Sequence, residues 1–542
     1  MLRQYGRVAS GFQPGACQTW VAVDSREHSR AVRMKKEIPV AGQEVPLVIV
    51  GAGFGGLAMA IRLQKAGRRD FLILEKASGF GGTWHDNTYP GCACDIPSHL
   101  YSLSFEQQPR WSRHYATQPE ILSYLDTVAS RHTLHEKTRF NTEVRSLSWD
   151  ARRKRWRIET GQGEPLIAQV VVLAVGGLHI PSVPAIDGLD RFPGPWFHSA
   201  RWRHDVDLTG KRVAVIGSGA SAVQIVPAIA EQVGRLALFQ RTPAWVLPRK
   251  DTPIPALLQQ AFAAVPGLQR LWRWVIYLRQ ESIAIAYTQN PKLLGHWQKQ
   301  TMQLIQEAIA DHDLRDKLWP RYPLGCKRAL LSDDYYPALA RENVELVTEP
   351  IREIDERTIV TADGTSHEVD VIVLATGFRT FNPATEIEIT GRGGCSLAED
   401  WVDGPEAYNG VLVAGYPNLF MLMGPNSGLG HNSIVFMIEA QVRYILSCLG
   451  LLASGRLPQL EVRDDIQRLF NQQIQERFQD TVWVSDGSPW RKPCMSWYKT
   501  ASGRLTALWP GFSASYWWRL RRADFRDFLT AEQIAAEAAP RL

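Results

Sequence analysis

The segment PLVIVGAGFGGLAMAIRLQKAG (46–67) decides the fold. Its opening apolar run reads as a strand buried on both faces. Gly51, Gly53 and Gly56 then give G-x-G-x-x-G, and a helical run follows, closed by Gly67, a residue suited to a helix C-cap. The first glycine permits a tight turn. The second lets backbone approach a pyrophosphate, the third lets helix and strand pack closely, and the helix N-terminus faces the anion. The next strand, DFLILE, ends at Glu75, 24 residues after Gly51, where a carboxylate can accept hydrogen bonds from a ribose diol.

KRVAVIGSGASAVQIVPAIAEQVGRLALFQRT (211–242) repeats the plan. Gly217 and Gly219 take the first two glycine places, with Ser218, Ala220 and Ser221 in the same turn and Ala222 in the third place. Pro227 predicts a kink in the helix. The following strand ends at Arg241, again 24 residues after the first glycine. A base there suits a 2′-phosphate, so the matched positions point to two different dinucleotides, FAD at the first turn and NADPH at the second.

A second echo marks where the chain changes domain. QVVVLAVGG (169–177) and DVIVLATGF (370–378) are both apolar strands ending in small residues. The predicted fold is therefore α/β, with two Rossmann-like dinucleotide-binding domains that are each discontinuous. An FAD domain takes residues 45–185 and 379–542, the latter including the C-terminal region. An NADP domain takes 186–250 and 326–378. Residues 251–325, rich in Leu, Gln, Ala and Trp with few strand signals, read as a helical insertion in the NADP domain.

The bulk composition agrees. A chain of 542 residues exceeds one core, and 45% hydrophobic with 21% charged residues is globular in character. A net charge of +6 without a long basic run argues against nucleic acid. Seven cysteines without zinc spacing make neither a metal site nor a disulfide scaffold, and a cytoplasmic location fits them. No apolar run reaches the length of a bilayer span, so no integral membrane segment is expected. Residues 1–44 lack an apolar signal core and read as a flexible N-terminal extension, or translation begins at Met34. Nothing in the sequence specifies an oligomeric state.

Two longer patterns carry a family resemblance. RFPGPWFHSARWRHD (191–205) presents Phe192, Gly194, His198 and Trp202 as F-x-G-x-x-x-H-x-x-x-W, and GGTWHDNTYPGCACD (81–95) presents G-G-x-W-x-x-x-x-Y-P-G-x-x-x-D. From about Val45 onward the chain resembles the type I Baeyer–Villiger monooxygenases, class B flavoprotein monooxygenases. It departs from the family pattern at Arg203, where Pro or Asp is usual. The resemblance implies FAD contacts at Gly51, Gly53, Phe54, Gly55, Gly56, Glu75, Thr83, Trp84, Asp95, Tyr101 and Val144. It implies NADPH contacts in the second turn, with Arg241 and Thr242 on the 2′-phosphate and Lys327 beside them. It makes Arg328, in YPLGCKRALLSDDYYP (322–337), the catalytic arginine and Asp95 its partner. Trp497, in SWYKTASGR, resembles a mobile tryptophan that reaches the nicotinamide and substrate region.

The activity so implied uses NADPH, O₂ and a small-molecule ketone. A C4a-peroxyflavin inserts one oxygen next to the carbonyl to give an ester or lactone. Arg328 would favour the anionic peroxide and the negative adduct. GPNSGLGHNSIVFMIEAQV (424–442) reads as a glycine-rich loop entering a helix near Ser433, whose N-terminus could face the flavin. His198 and its neighbours read as a joint between domains. Two other functions stay open on the residues alone: a class B enzyme oxygenating nitrogen or sulfur, and a flavin-dependent disulfide reductase, for which only Cys92 and Cys94 could serve.

Overall fold

The structure is a computed structural model and describes residues 44–161, 163–379, 386–484 and 496–538, all within the unit Pro39–Leu542. The expected extension thus lies, but for Glu44, outside the described residues.

The first glycine turn connects strand Glu44–Val50 to helix Phe54–Lys65. That strand sits inside an eight-stranded sheet, pairing in parallel with Leu72–Leu74 on one side and Leu166–Leu173 on the other. Its burial on both faces explains the unbroken apolar run. Val144–Asp150, Arg155–Thr160 and Leu166–Leu173 form an antiparallel meander that carries the chain back into the centre of this sheet. Gly67, at φ +77°, turns the chain just beyond the end of the helix, its N–H bonded to the Gln64 carbonyl.

A second sheet repeats the design with five parallel strands in the order Val344–Val347, Arg235–Phe239, Arg212–Ile216, Val371–Leu374 and Trp196–His198. Here too a meander, Ile351–Asp355, Thr358–Thr361 and Ser366–Glu368, precedes the strand that returns to the sheet. Helix Ala220–Ile229 is assigned without interruption through Pro227.

The two bodies are joined by the two segments that echo each other in sequence. Ile180–Pro181 and Phe378–Arg379 pair as a short antiparallel ribbon, reinforced by Ser182 N–H on the Gly377 carbonyl (2.8 Å) and Thr376 Oγ1 on the Ser182 carbonyl (2.5 Å). Residues 251–325 hold four helices: Ala256–Ala264, Leu268–Thr288, Leu294–Ala308 and His312–Leu318.

Helix Ile434–Ala453 has the length and apolar composition of a membrane span, but 56% of its apolar window is buried and it packs against helix Phe54–Lys65. It is a central core helix. A buried carboxylate ties its leading end to the insertion. Glu281, on helix Leu268–Thr288, accepts from Asn432 Nδ2 (2.8 Å), Ser513 Oγ (2.6 Å) and Ala514 N–H (2.9 Å). Burial alone would raise this carboxyl. The His431 ring beside it and these donors override that and bring it from its ordinary 4.5 down to about 2.

Because the folded pKa is depressed, the tie is complete above about pH 4.5 and is lost as pH falls from there toward 2. Glu281→Gln keeps the size but sets an amide N–H₂ against these donors, and should cost about 2–3 kcal/mol at neutral pH. Thermal melts of both proteins should converge as pH drops below 4.5; a constant gap would refute the charge as the source.

Candidate functional site

Both glycine turns obey the same steric rule. A Cβ on Gly51 would lie 2.5 Å from the Ala174 carbonyl oxygen, and one on Gly217 would lie 2.4 Å from that of Ala375. The two residues have φ of +104° and +111°, open to glycine alone at no cost. Matching hydrogen bonds complete each turn. Gly51 N–H donates to Leu74 O and Ala174 N–H to Val50 O, while Gly217 N–H donates to Phe239 O and Ala375 N–H to Ile216 O. A Cβ on Gly56 would sit 2.0 Å from the Gly51 carbonyl, so the helix can close on the strand only without a side chain there.

The middle glycines differ. A Cβ on Gly219 would meet nothing within 4 Å, and one on Gly53 would find its nearest neighbour at 3.6 Å. Protein packing does not demand glycine at either place. An approaching pyrophosphate does, so both cradles fit a dinucleotide.

The first turn opens into a cavity of about 460 Å³. Of the sites expected from sequence, it is lined by Gly51, Gly53, Phe54, Gly55, Glu75, Thr83, Trp84, Asp95, Tyr101, Val144, Ala220, Arg328 and Trp497. Glu75 is 6% exposed, and its two oxygens accept from Ala52 N–H (2.7 Å) and Ala77 N–H (2.8 Å). These bonds fix the carboxylate and leave each oxygen a second acceptor site for a ribose. Trp84 Nε1 donates to Tyr101 OH (3.2 Å), and the Tyr101 ring packs edge-on to Phe54. Asn432 and Ile434 bring the leading end of helix Ile434–Ala453, with Ser433 as N-cap, to the same cavity.

Asp95 and Arg328 form a bidentate ion pair, Nε to Oδ2 at 2.6 Å and Nη2 to Oδ1 at 2.8 Å. Their side chains are 28% and 31% exposed, and both line the cavity. Burial pushes the Asp95 carboxyl up, but the Arg328 charge and its hydrogen bonds outweigh that and hold it below the ordinary range. The Asp95 charge in turn raises Arg328 above its ordinary value. Sequence reasoning missed Arg249, which donates to the Cys94 carbonyl (3.2 Å) and adds positive charge beside Asp95.

The second turn places Gly217, Ser218, Gly219 and Ser221 outside the cavity that Ala220 lines. Ser218 Oγ donates to the Thr242 carbonyl (2.9 Å). Burial and the nearby Arg241 charge both lower Lys327, whose ammonium lies 4.9 Å from the Tyr322 ring centre. Neither Lys327 nor Arg241 forms an ion pair among the described residues. Two cations held close without an anion are arranged for one.

Gln224 was also missed. It follows the second glycine turn yet clamps the 81–95 fingerprint, accepting from Tyr89 OH (2.9 Å) and donating to the Ala93 carbonyl (2.9 Å). Gly91 is required there, since a Cβ would fall 2.6 Å from the Gln224 carbonyl. Its sequence signal was a polar side chain within a helix of otherwise apolar pattern.

The 191–205 segment does more than connect. Trp196–His198 is the edge strand of the second sheet. His198 Nδ1 accepts the Ala200 N–H (3.1 Å), which leaves Nε2 to donate to the Gly377 carbonyl (2.9 Å) in the returning segment. Phe192 is buried, Trp202 stacks edge-on to Phe197, and a Cβ on Gly194 would strike the Asp370 carbonyl at 2.5 Å. Arg203 points to solvent and pairs only with Asp205, so the departure from the family pattern does not reach the cavity.

Among the described residues Cys92, Cys94, Cys395 and Cys448 are free thiols. Burial pushes Cys92 up to about 11 and Cys94 higher still, so neither offers the thiolate that a disulfide reductase needs. Among the described residues no three His, Cys, Asp or Glu side chains cluster as metal ligands would.

The pyridine nucleotide-disulphide oxidoreductase family matches residues 48–257. A Baeyer–Villiger monooxygenase of Pseudomonas aeruginosa is 45% identical over 499 residues, spanning 92% of this chain and 93% of that protein. One of Streptomyces coelicolor is 45% identical over 502 residues, spanning 92% and 95%. Among solved structures, an oxidized steroid monooxygenase bound to NADP is 33% identical with a TM-score of 0.77, covering 88% of this chain and 97% of that one. A cyclohexanone monooxygenase from Rhodococcus bound to NADP⁺ is 30% identical with a TM-score of 0.78, covering 89% and 97%.

Arg241→Ala should raise KM for NADPH by about 10- to 100-fold, the loss of one or two charge-assisted hydrogen bonds, and shrink the preference over NADH. Steady-state kinetics with both nucleotides checks this, an unchanged preference being the contrary result. His198→Ala removes the only side-chain bond to the Gly377 carbonyl among the described residues. It should slow NADPH-driven flavin reduction while FAD stays bound; stopped-flow traces identical to wild type would contradict a joint at this position.

Proposed function

Since the chain belongs to the Baeyer–Villiger monooxygenases, we propose that its Asp95–Arg328 pair is the catalytic centre of the reaction this family performs. The protein is an oxidoreductase that uses FAD, NADPH and O₂ to insert one oxygen atom next to a ketone carbonyl, giving an ester or lactone. When bound, the flavin supplies the oxygen chemistry and NADPH the hydride; the chain supplies position, charge and exclusion of water.

We assign FAD to the body of the eight-stranded sheet, residues 45–185 and 379–542. NADP goes to the body of the five-stranded sheet, residues 186–250 and 326–378, with 251–325 as its helical insertion. The open cradle at Gly53 and the fixed Glu75 carboxylate support the first assignment. The open cradle at Gly219 and the converging Arg241 and Lys327 support the second.

Arg328 is a permanent cation at the wall of the cavity, where it stabilises negative charge developing on oxygen. Asp95 positions it. Two parallel hydrogen bonds fix the guanidinium plane in a way that a lysine could not reproduce. The leading end of helix Ile434–Ala453 brings its positive pole to the cavity, where it would stabilise negative charge on a flavin held there. Trp497, Tyr498 and Leu508 line the cavity on the side of the C-terminal region and limit water. We place the protein in the cytoplasm, where the NADPH it consumes is generated. The observation that carries the reading is the bidentate pair between residue 95 of one body and residue 328 of the other, at a cavity that the first glycine turn and the helix after the second both line.

Incubation with NADPH, ¹⁸O₂ and separate ketone and sulfide panels should give esters carrying one labelled oxygen. Sulfoxide without any ester would favour the nitrogen- and sulfur-oxygenating relatives instead. Arg328→Ala should lower ester formation by about 100-fold or more while FAD remains bound. An Arg328→Ala protein that still formed ester at the wild-type rate would remove the arginine from the chemistry.

A further inference from the structure

Helix Leu268–Thr288 buries Ile276, Tyr277 and Tyr287 in the core, yet it also departs from ordinary amphipathic patterning. Its inward face buries two charges, Glu281 and Arg273, the latter donating to the His99 and Leu100 carbonyls at 2.7 and 3.0 Å. Its outward face is apolar. Leu271 is 62% exposed, Trp274 59% and Leu278 61%, with Val275 on the same stripe. These positions follow the three- and four-residue spacing of a single helix face.

Helices packed on either side add further exposed apolar residues. Helix Ala256–Ala264 packs against this helix, Phe262 facing Trp272, and leaves Leu257 79% exposed. Helix Ser513–Arg519 is held to it by the Ala514–Glu281 and Ser513–Tyr277 hydrogen bonds and turns Trp518 out at 62% exposure. A soluble surface seldom leaves so many large apolar side chains side by side.

The charges on these helices are nearly all positive. Between residues 256 and 288 the sole carboxylate is the buried Glu281, and residues 513–522 hold none. Arg270, Arg279, Arg521 and Arg522 are all exposed. Arg521 stacks over Trp518 (4.3 Å) and Arg443 over Trp517 (3.8 Å). Indole rings bordered by arginines suit the boundary between lipid headgroups and acyl chains.

We propose that this three-helix face docks peripherally on an anionic phospholipid membrane, its leucines and tryptophans in the acyl boundary and its arginines on the headgroup phosphates. A second copy of the chain fits worse. A two-fold interface would set the same arginines against each other, with Asp524, already paired with Arg526, the carboxylate beside Arg522. An anionic lipid surface answers all of them at once. The docking does not depend on the catalytic reading of Asp95 and Arg328.

The test is co-sedimentation of the full-length FAD-bound protein with vesicles of phosphatidylcholine alone or mixed with phosphatidylglycerol. A Trp274→Ser/Leu278→Ser variant is run alongside, with oxygenation of a small water-soluble ketone as the control for folding. Wild type should bind the anionic vesicles, release in high salt, and bind them on the order of tenfold or more tightly than the variant, whose activity stays unchanged. Wild type that stays in the supernatant overturns the proposal, as does a variant that binds equally well. Self-association of wild type that the variant abolishes, without vesicle binding, overturns it in favour of a second copy.

Discussion

A carbonyl oxygen stands where a side chain would begin. At Gly51 it belongs to Ala174, and at Gly217 to Ala375. Everything around the cavity depends on this constraint. It keeps each turn bare, so that the strand ends stay open for a pyrophosphate and the following helix can aim its N-terminus there. Ala174 and Ala375 are also the residues at which the chain starts to leave one body for the other. The carbonyls that shape the dinucleotide turns thus sit at the head of the two crossing segments.

That coupling gives the joint its meaning. The crossings pair with each other at Ile180–Pro181 and Phe378–Arg379, and the Gly377 carbonyl receives both Ser182 N–H and His198 Nε2. His198 belongs to the edge strand of the second sheet, so that sheet and the returning segment are held by one imidazole. Asp95 and Arg328 come from different bodies, and their ion pair keeps its two-bond geometry only while the bodies hold their present relation. Gln224 adds a second tie across the same junction, bonded to Tyr89 and Ala93.

The two turns were fully legible in the sequence because their glycines answer local sterics. Glu75 and Arg241 were singled out by equal 24-residue offsets from the first glycines, although the helices between are 12 and 10 residues long and the strands 3 and 5. Asp95 with Arg328 was legible only through the family resemblance. They are 233 residues apart, and no periodicity links them. The strand Trp196–His198 was hidden by its brevity and by Pro193 and Pro195, which read as loop. Pro227, expected to weaken its helix, lies within the continuous helix Ala220–Ile229.

Glu281 shows the limit of pattern reading most clearly. On helix Leu268–Thr288 a carboxylate and an arginine would ordinarily mark the solvent face, and the leucines and tryptophans the core. The structure turns both charges inward because that face, besides packing Ile276, Tyr277 and Tyr287 into the core, meets donors and carbonyls: Asn432, Ser513 and the Ala514 N–H for the acid, the His99 and Leu100 carbonyls for the base. Those partners come from segments far apart in the chain, so the sequence of the helix alone cannot reveal them. The same ion-locking ties the insertion to the loop beside the cavity, while the insertion keeps an uncovered apolar face.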